Sequence, residues 1–357
     1  MTPEAESGAF REHHEENLPH PDFAYHGDSG AELTAPDAAD FSSHEETRED
    51  EPLQPAEIGS APGEGLSSGT IPAYGFPDRF DIAFNRPHLP RLIPNFGHTL
   101  LFFAVAFLVL AVGQAFGILI LEQTHLFGHR SFQALFRLSA DDARLSLPVQ
   151  AFSYALVAAV VIPVFSVIWR EPFGEGVHWN AAIARRRVIL LALIGLAAGF
   201  GIGAFGNFLP MPKDPPIMQD MMQSRLGAWM MLAFGITAAP LLEELAFRGF
   251  LLPGLINSFR WLARQSVISE SAAKWIGLPV SVLVTSAGFA YMHSPQVSHA
   301  WGPLVLIGTV SLVLCVVRLA MNSVAAGVVV HAAYNLTLFA GVLAQTGGFR
   351  HLERLTT

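Results

Sequence analysis

Two adjacent carboxylates and a guanidinium stand near the end of a long apolar run, in Ala239-Pro240-Leu241-Leu242-Glu243-Glu244-Leu245-Ala246-Phe247-Arg248. A charge at the centre of a membrane helix costs roughly 2.5–3.5 kcal/mol on insertion scales, so three in one run call for a function and for partners. At helical spacing Glu244 and Arg248 are i and i+4, the orientation that favours a carboxylate–guanidinium pair, while Glu243 is turned about 100° away. With Arg248 neutralising Glu244, Glu243 is left to take a proton. The bland alternative is an Arg-centred network of both glutamates that only packs helices. Pro240 cannot donate to the carbonyl of Ile236, which predicts a kink and a freed backbone acceptor beside the cluster.

Few other ionisable residues lie within the later apolar runs. His293 closes one, in Phe289-Ala290-Tyr291-Met292-His293, and His331 lies in another, in His331-Ala332-Ala333-Tyr334-Asn335. A lone histidine here is as often an interhelix hydrogen-bonding residue, and Asn335 alone would suggest the same; together the set reads as chemical. His331 and Asn335 are i and i+4, so one helix face offers a neutral imidazole and a carboxamide as hydrogen-bond donors to an oxygen that becomes negative when an amide is attacked. His293 could orient a water for Glu243 or complete that donor set. The chemistry this suggests is a carboxylate-activated water attacking a peptide carbonyl within the bilayer. Glu243, His293 and His331 could instead hold Zn²⁺, whose open position would carry the water. No HExxH is present and Asn is a poor zinc ligand, so the version with no metal or other cofactor ranks ahead and zinc is kept as the alternative.

Composition says what must position these residues. Of 357 residues, 51% are hydrophobic and only 14% charged, too apolar for an ordinary soluble enzyme and fitting for a polytopic membrane protein. The net charge of −9 arises in the first part, since 19 of 30 acidic residues precede residue 82. From residue 92 onward 16 Lys/Arg face 11 Asp/Glu, and nothing resembles a nucleic-acid surface. Cys315 is the single cysteine, so no intrachain disulfide forms. The first 30 residues lack the apolar segment of a cleavable signal peptide.

Residues 1–90 are rich in Glu, Asp, Pro, Ser and Gly. Such a segment buries too little to offset its ordering entropy, which predicts a disordered tail, with His13, His14 and His44 solvated. Apolar runs long enough to cross ~30 Å of hydrocarbon fall near 97–121, 147–169, 188–209, 226–250, 275–293, 301–321 and 323–346. The fold expected is all-α: a transmembrane bundle of about seven helices, with room for an eighth, over residues 91–357. Gly195, Gly199 and Gly203 recur at four-residue spacing, read as a helix-packing stripe. Pro210 to Pro216 predicts a loop over one face, and Leu251 to Lys274, with Arg260, Trp261, Arg264 and Lys274, an interfacial amphipathic segment. Twelve Lys/Arg against seven near the run ends favour a cytoplasmic N-terminus. The expected site is the plasma (inner) membrane of a prokaryote.

In order and spacing these residues resemble the CAAX protease and bacteriocin-processing family of intramembrane endopeptidases, which includes the type II CAAX prenyl endopeptidases. Three motifs carry the resemblance: Glu-Glu-x-x-x-Arg at Glu243, Glu244 and Arg248; Phe-x-x-x-His at Phe289 and His293; His-x-x-x-Asn at His331 and Asn335. They lie in successive runs over about 226–346, the expected catalytic core. The resemblance implies that Glu243 activates the water with help from His293, that His331 and Asn335 stabilise the oxyanion, and that Arg248 and Phe289 support them. It also implies a conical cavity and a polypeptide substrate, prenylated in the eukaryotic members. The acidic tail departs from the compact family pattern. Two other readings use the same residues: a transporter with Glu243, Glu244 and the histidines as a proton relay, disfavoured because no inverted repeat is seen, and an idle scaffold or immunity protein. Glu243 and His293 are symmetric about residue 268, so a hairpin joins them only if the fourth helix continues well past Arg248.

Overall fold

The computed structural model describes residues 91–211 and 224–355. The chain divides into two units, Met1–Arg79 and Phe80–Thr357, and the described residues all belong to the second. The expected tail over 1–90 and the loop from Pro212 to Pro216 lie outside the described residues.

Among the described residues there are helices and no strands. Seven spans are long and apolar enough to cross a membrane, and the chain is an integral membrane protein of all-α fold. The first is α1 (Phe96–Thr124), capped by Asn95, whose side chain accepts from His98 N. A short α2 (Phe132–Asp141) leads into the second span, α3 (Ala143–Trp169), and a short α4 (Ala181–Arg186) into the third, α5 (Val188–Gly206). The fourth span covers 40 residues, Arg225–Arg264, in pieces: α6 (Arg225–Ile236), α7 (Ala238–Glu244), a π-helical turn (Leu245–Leu251) and α8 (Leu252–Arg264). The fifth span, Glu270–Met292, ends in α9 (Leu278–Met292), followed by α10 (Trp301–Met321) and α11 (Val324–Gln345).

The outer faces carry Phe107, Leu108, Phe116, Ile189 and Phe200 in exposed positions. Such side chains suit contact with lipid tails, which are as apolar as they are. Inside, Phe102 stacks on Phe250 at 4.1 Å between ring centroids, with Phe165 and Trp169 around them. This cluster ties α1 and α3 to the π-helical turn. A second cluster, Leu191, Ile202, Leu314, Val317, Ala326 and Val330, joins α5, α10 and α11.

Two expectations are modified. The fourth run does not end at 250: the expected interfacial segment is continuous with it as α8, because nothing in Leu252 to Arg264 breaks a helix and Pro253 sits in its tolerant first turn. Its amphipathic character stands, with Arg260 and Trp261 exposed while Gly254, Asn257 and Ala263 are buried. The glycine stripe is only partly an interface. A methyl at Gly195 would overlap the backbone of Val330 and the side chain of Ala333, and one at Gly199 would overlap Thr337, whereas Gly203 faces open space. Gly195 and Gly199 therefore permit the close α5–α11 approach.

Thermal unfolding in detergent should separate these positions. Gly199→Val should lower stability by about 1–3 kcal/mol, the usual cost of overpacking, while Gly203→Ala should leave the melting temperature near wild type.

Candidate active site

The cluster begins at a break in the fourth span. Helix α6 stops at Ile236, and Thr237 adopts φ −127°, ψ −81° before α7 starts. Pro240 explains the position, since it has no N–H for Ile236 O and its ring crowds that carbonyl. The tethered acceptor is one residue earlier than expected: Asn335 Nδ2 donates to Gly235 O at 2.7 Å. A carboxamide carries two N–H donors, and this bond uses one.

One turn later come the acids. Glu244 is fully buried, and its Oε1 accepts from Arg248 Nη1 at 3.0 Å. Arg248 is itself fully buried and donates from Nη2 to Ser311 Oγ at 2.6 Å and to Ser311 O at 2.9 Å. Its guanidinium also lies 4.8 Å from the centroid of the Phe289 ring, a cation–π placement. The i,i+4 pair expected from spacing is thus present, and α10 and α9 hold it from two sides.

Glu243 differs from its neighbour by being reachable: its side chain keeps 15% exposure where Glu244 keeps none. Two imidazoles face it, with His293 Nε2 at 3.8 Å from Oε1 and His331 Nε2 at 3.7 Å from Oε2. Their other nitrogens are engaged. His293 Nδ1 is 2.8 Å from Phe289 O, and a carbonyl only accepts, so that nitrogen carries the hydrogen. His331 Nδ1 is 3.0 Å from Glu244 Oε1. That oxygen already accepts from Arg248, so His331 donates to it as well. Phe289 touches both rings, at 4.6 Å from His293 and 5.8 Å from His331 between centroids.

Glu243, Glu244, Arg248, Phe289, His293 and His331 therefore meet in one place. Asn335 lies one turn beyond His331 on α11, bonded to the helix break. The meeting of Glu243 with His293 requires the fourth helix to continue past Arg248, and α8 supplies that length before the chain returns through α9. The π-helical turn between Leu245 and Leu251 is a second contributor, since such turns insert an extra residue per turn and re-aim side chains. It shows in the bond from Leu252 N to Phe247 O.

Three supporting residues are not apparent from the motifs. Ser311 braces Arg248. Arg318, 5% exposed, donates from Nε to Arg248 O at 3.1 Å and from Nη1 to Asn322 Oδ1 at 2.9 Å, fastening the π-helical turn to the end of α10. Arg318 counts as a topology charge in sequence, and only its burial reveals the brace. Gly327 makes room, because a Cβ there would come within 2.6 Å of Glu244 Oε2. Among the described residues, no three His, Cys, Asp or Glu side chains are gathered closely enough for a metal ion as they stand.

Neither a curated protein nor a solved structure matches the chain. A profile of the type II CAAX prenyl endopeptidase Rce1-like family matches residues 225–337. That interval runs from the start of the fourth span to just past Asn335 and contains every ionisable residue of the cluster. Through this segment, which carries all three motifs at the heart of the helix bundle, the chain is similar to the type II CAAX prenyl endopeptidase Rce1-like family.

Proposed function

We propose that this protein is an intramembrane endopeptidase that hydrolyses a peptide bond of a membrane-associated polypeptide, prenylated or not, with Glu243 as the base that activates water. The observation that carries this reading is the asymmetry of the two carboxylates: Glu244 is sealed and committed to Arg248 and His331, while Glu243 is partly open and lies between two imidazoles.

The gaps of 3.7 and 3.8 Å around Glu243 exceed a direct hydrogen bond and suit a bridging water. Glu243 takes one proton of that water as its oxygen attacks the substrate carbonyl carbon. His293 orients the water through Nε2, its ring held by Phe289 O. The carbonyl oxygen gains the negative charge. His331, when it holds both ring protons, donates from Nε2 to that oxygen, stabilised as a cation by Glu244 on the other nitrogen. The remaining amide hydrogen of Asn335 completes the donor pair. The carbon–nitrogen bond then breaks as Glu243 returns its proton to the departing amine.

In the zinc version, Glu243, His293 and His331 would move together to hold the ion, which would supply Lewis-acid activation of the water. We place the metal-free version ahead because the sequence has no HExxH and Asn335, which stands on the same helix as His331, is a poor zinc ligand. A prokaryotic inner-membrane location with the N-terminus inside is part of the same proposal, resting on the Lys/Arg asymmetry.

Four measurements test these assignments on purified protein, with quenched peptides, farnesylated and not, as substrates. Glu243→Gln should lower kcat by roughly 10²–10⁴-fold, the scale of one general base, with the melting temperature held; cleavage at the wild-type rate would sink the base. Glu244→Gln should instead lower stability by about 3–5 kcal/mol, because it leaves buried Arg248 without its counter-charge. Prolonged chelation should leave the rate unchanged; loss of activity with recovery on adding Zn²⁺ would establish the zinc version. Finally, Arg318→Met should cost about 1.5–3 kcal/mol and lower kcat more than it raises KM, since Arg318 positions the turn bearing Arg248 without meeting the substrate.

A further inference from the structure

Away from the carboxylate–histidine cluster, a cavity of about 720 Å³ opens between the start of α1, the end of α3 and α8. These segments share one end of the bundle, since the first span begins where the second finishes and where the fourth, after crossing back, also finishes. The junction is well tied. Asn257 Nδ2 donates to Pro94 O at 2.8 Å, and Thr99 Oγ1 donates to Phe250 O at 2.9 Å.

The lining divides into two chemistries. Arg91 and Arg264 bring basic groups, with His98, Asn257 and Ser258 as neutral polar neighbours, and among the described residues none that lines the cavity is acidic. Leu92, Ile93, Ile168 and Leu262 supply an apolar wall, and Trp261, half exposed, stands beside them. Arg91 is anchored by Nη1 to Trp169 O at 3.1 Å, which uses one of the five guanidinium donors. Tryptophan at this level is the ordinary signature of a membrane–water boundary.

We infer that this cavity binds an anionic phospholipid, with Arg91 and Arg264 on the phosphate and an acyl chain along Ile168 and Leu262. A small inorganic anion would use the guanidinium groups and leave the apolar wall uncovered. A zwitterionic lipid would bring a cationic headgroup against basic residues. An anionic lipid satisfies both halves of the cavity, and basic pockets between helices at the boundary are suited to such headgroups. Because α8 continues directly from the π-helical turn that bears Arg248, a lipid seated there would fasten the same helix that carries the acids.

The test needs no cleavage assay. The full-length protein is reconstituted in nanodiscs of equal phosphatidylglycerol and phosphatidylcholine, extracted mildly, and its retained lipid identified by native mass spectrometry. Wild type should retain phosphatidylglycerol with at least about a tenfold preference, Arg91→Gln alone should lose roughly five-fold of it, and Arg91→Gln with Arg264→Gln should retain the two lipids nearly equally. Arg130→Gln with Arg137→Gln, at the opposite end of the bundle, should keep the wild-type preference. Equal retention by wild type, or an undiminished preference in the double variant at Arg91 and Arg264, would overturn the proposal. So would displacement of the lipid by excess inorganic phosphate, which would make the cavity a site for small anions.

Discussion

Everything at the centre of this protein depends on neutralising one buried guanidinium. Arg248 and Glu244 are both fully shielded from solvent, and taking two charges out of water costs several kcal/mol each unless hydrogen bonds and attraction offset it. The offset is spread over four helices: Glu244 on α7, Ser311 on α10, the Phe289 ring on α9 and His331 on α11. None can move without exposing an uncompensated charge. The ion pair therefore acts as a bolt that sets the mutual position of the helices carrying His293 and His331.

That commitment is what separates two chemically identical neighbours. Glu244 has its Oε1 taken by Arg248 and His331, and Gly327 lets the carboxylate sit flush against α11. Glu243, one residue earlier, points elsewhere on the same turn and keeps a partial opening between two Nε2 atoms. Both histidines have their far nitrogen tied down, so their near nitrogens are aimed by the scaffold before any ligand arrives. Such pre-orientation is how a static site lowers the reorganisation needed during reaction.

The fourth span is irregular around this bolt. It breaks at Thr237, winds as a π-helix from Leu245 to Leu251 and resumes as α8. Irregular backbone at membrane depth is tolerated where protein groups satisfy the freed polar atoms. Here Asn335 takes Gly235 O and Arg318 takes Arg248 O. The two braces come from α11 and α10, the same helices that engage Glu244 and Arg248, so the deviations and the ion pair support one another.

Much of this is written locally. The apolar runs declare seven spans because hydrocarbon thickness dictates their length, and the i,i+4 spacing of Glu244 and Arg248 dictates their pairing because it is a property of one helix. The three motifs likewise mark which polar residues to watch and what family they resemble. Other features depend on parts of the chain far from the residues they affect. Ser311 and Arg318 look like a helix hydroxyl and a boundary charge until α10 packs beside the π-helical turn, and Gly203 matches Gly195 and Gly199 in spacing yet faces no partner. The transfer of the tethered carbonyl from Ile236 to Gly235 and the tautomer of His331 likewise follow from contacts between residues 87 to 100 positions apart. Sequence by itself determined that a small set of ionisable and amide residues lies within runs long and apolar enough to cross a membrane, because insertion cost and helical spacing act along the chain; tertiary structure decided which glutamate is sealed and which is open, because burial is a property of what packs around a side chain.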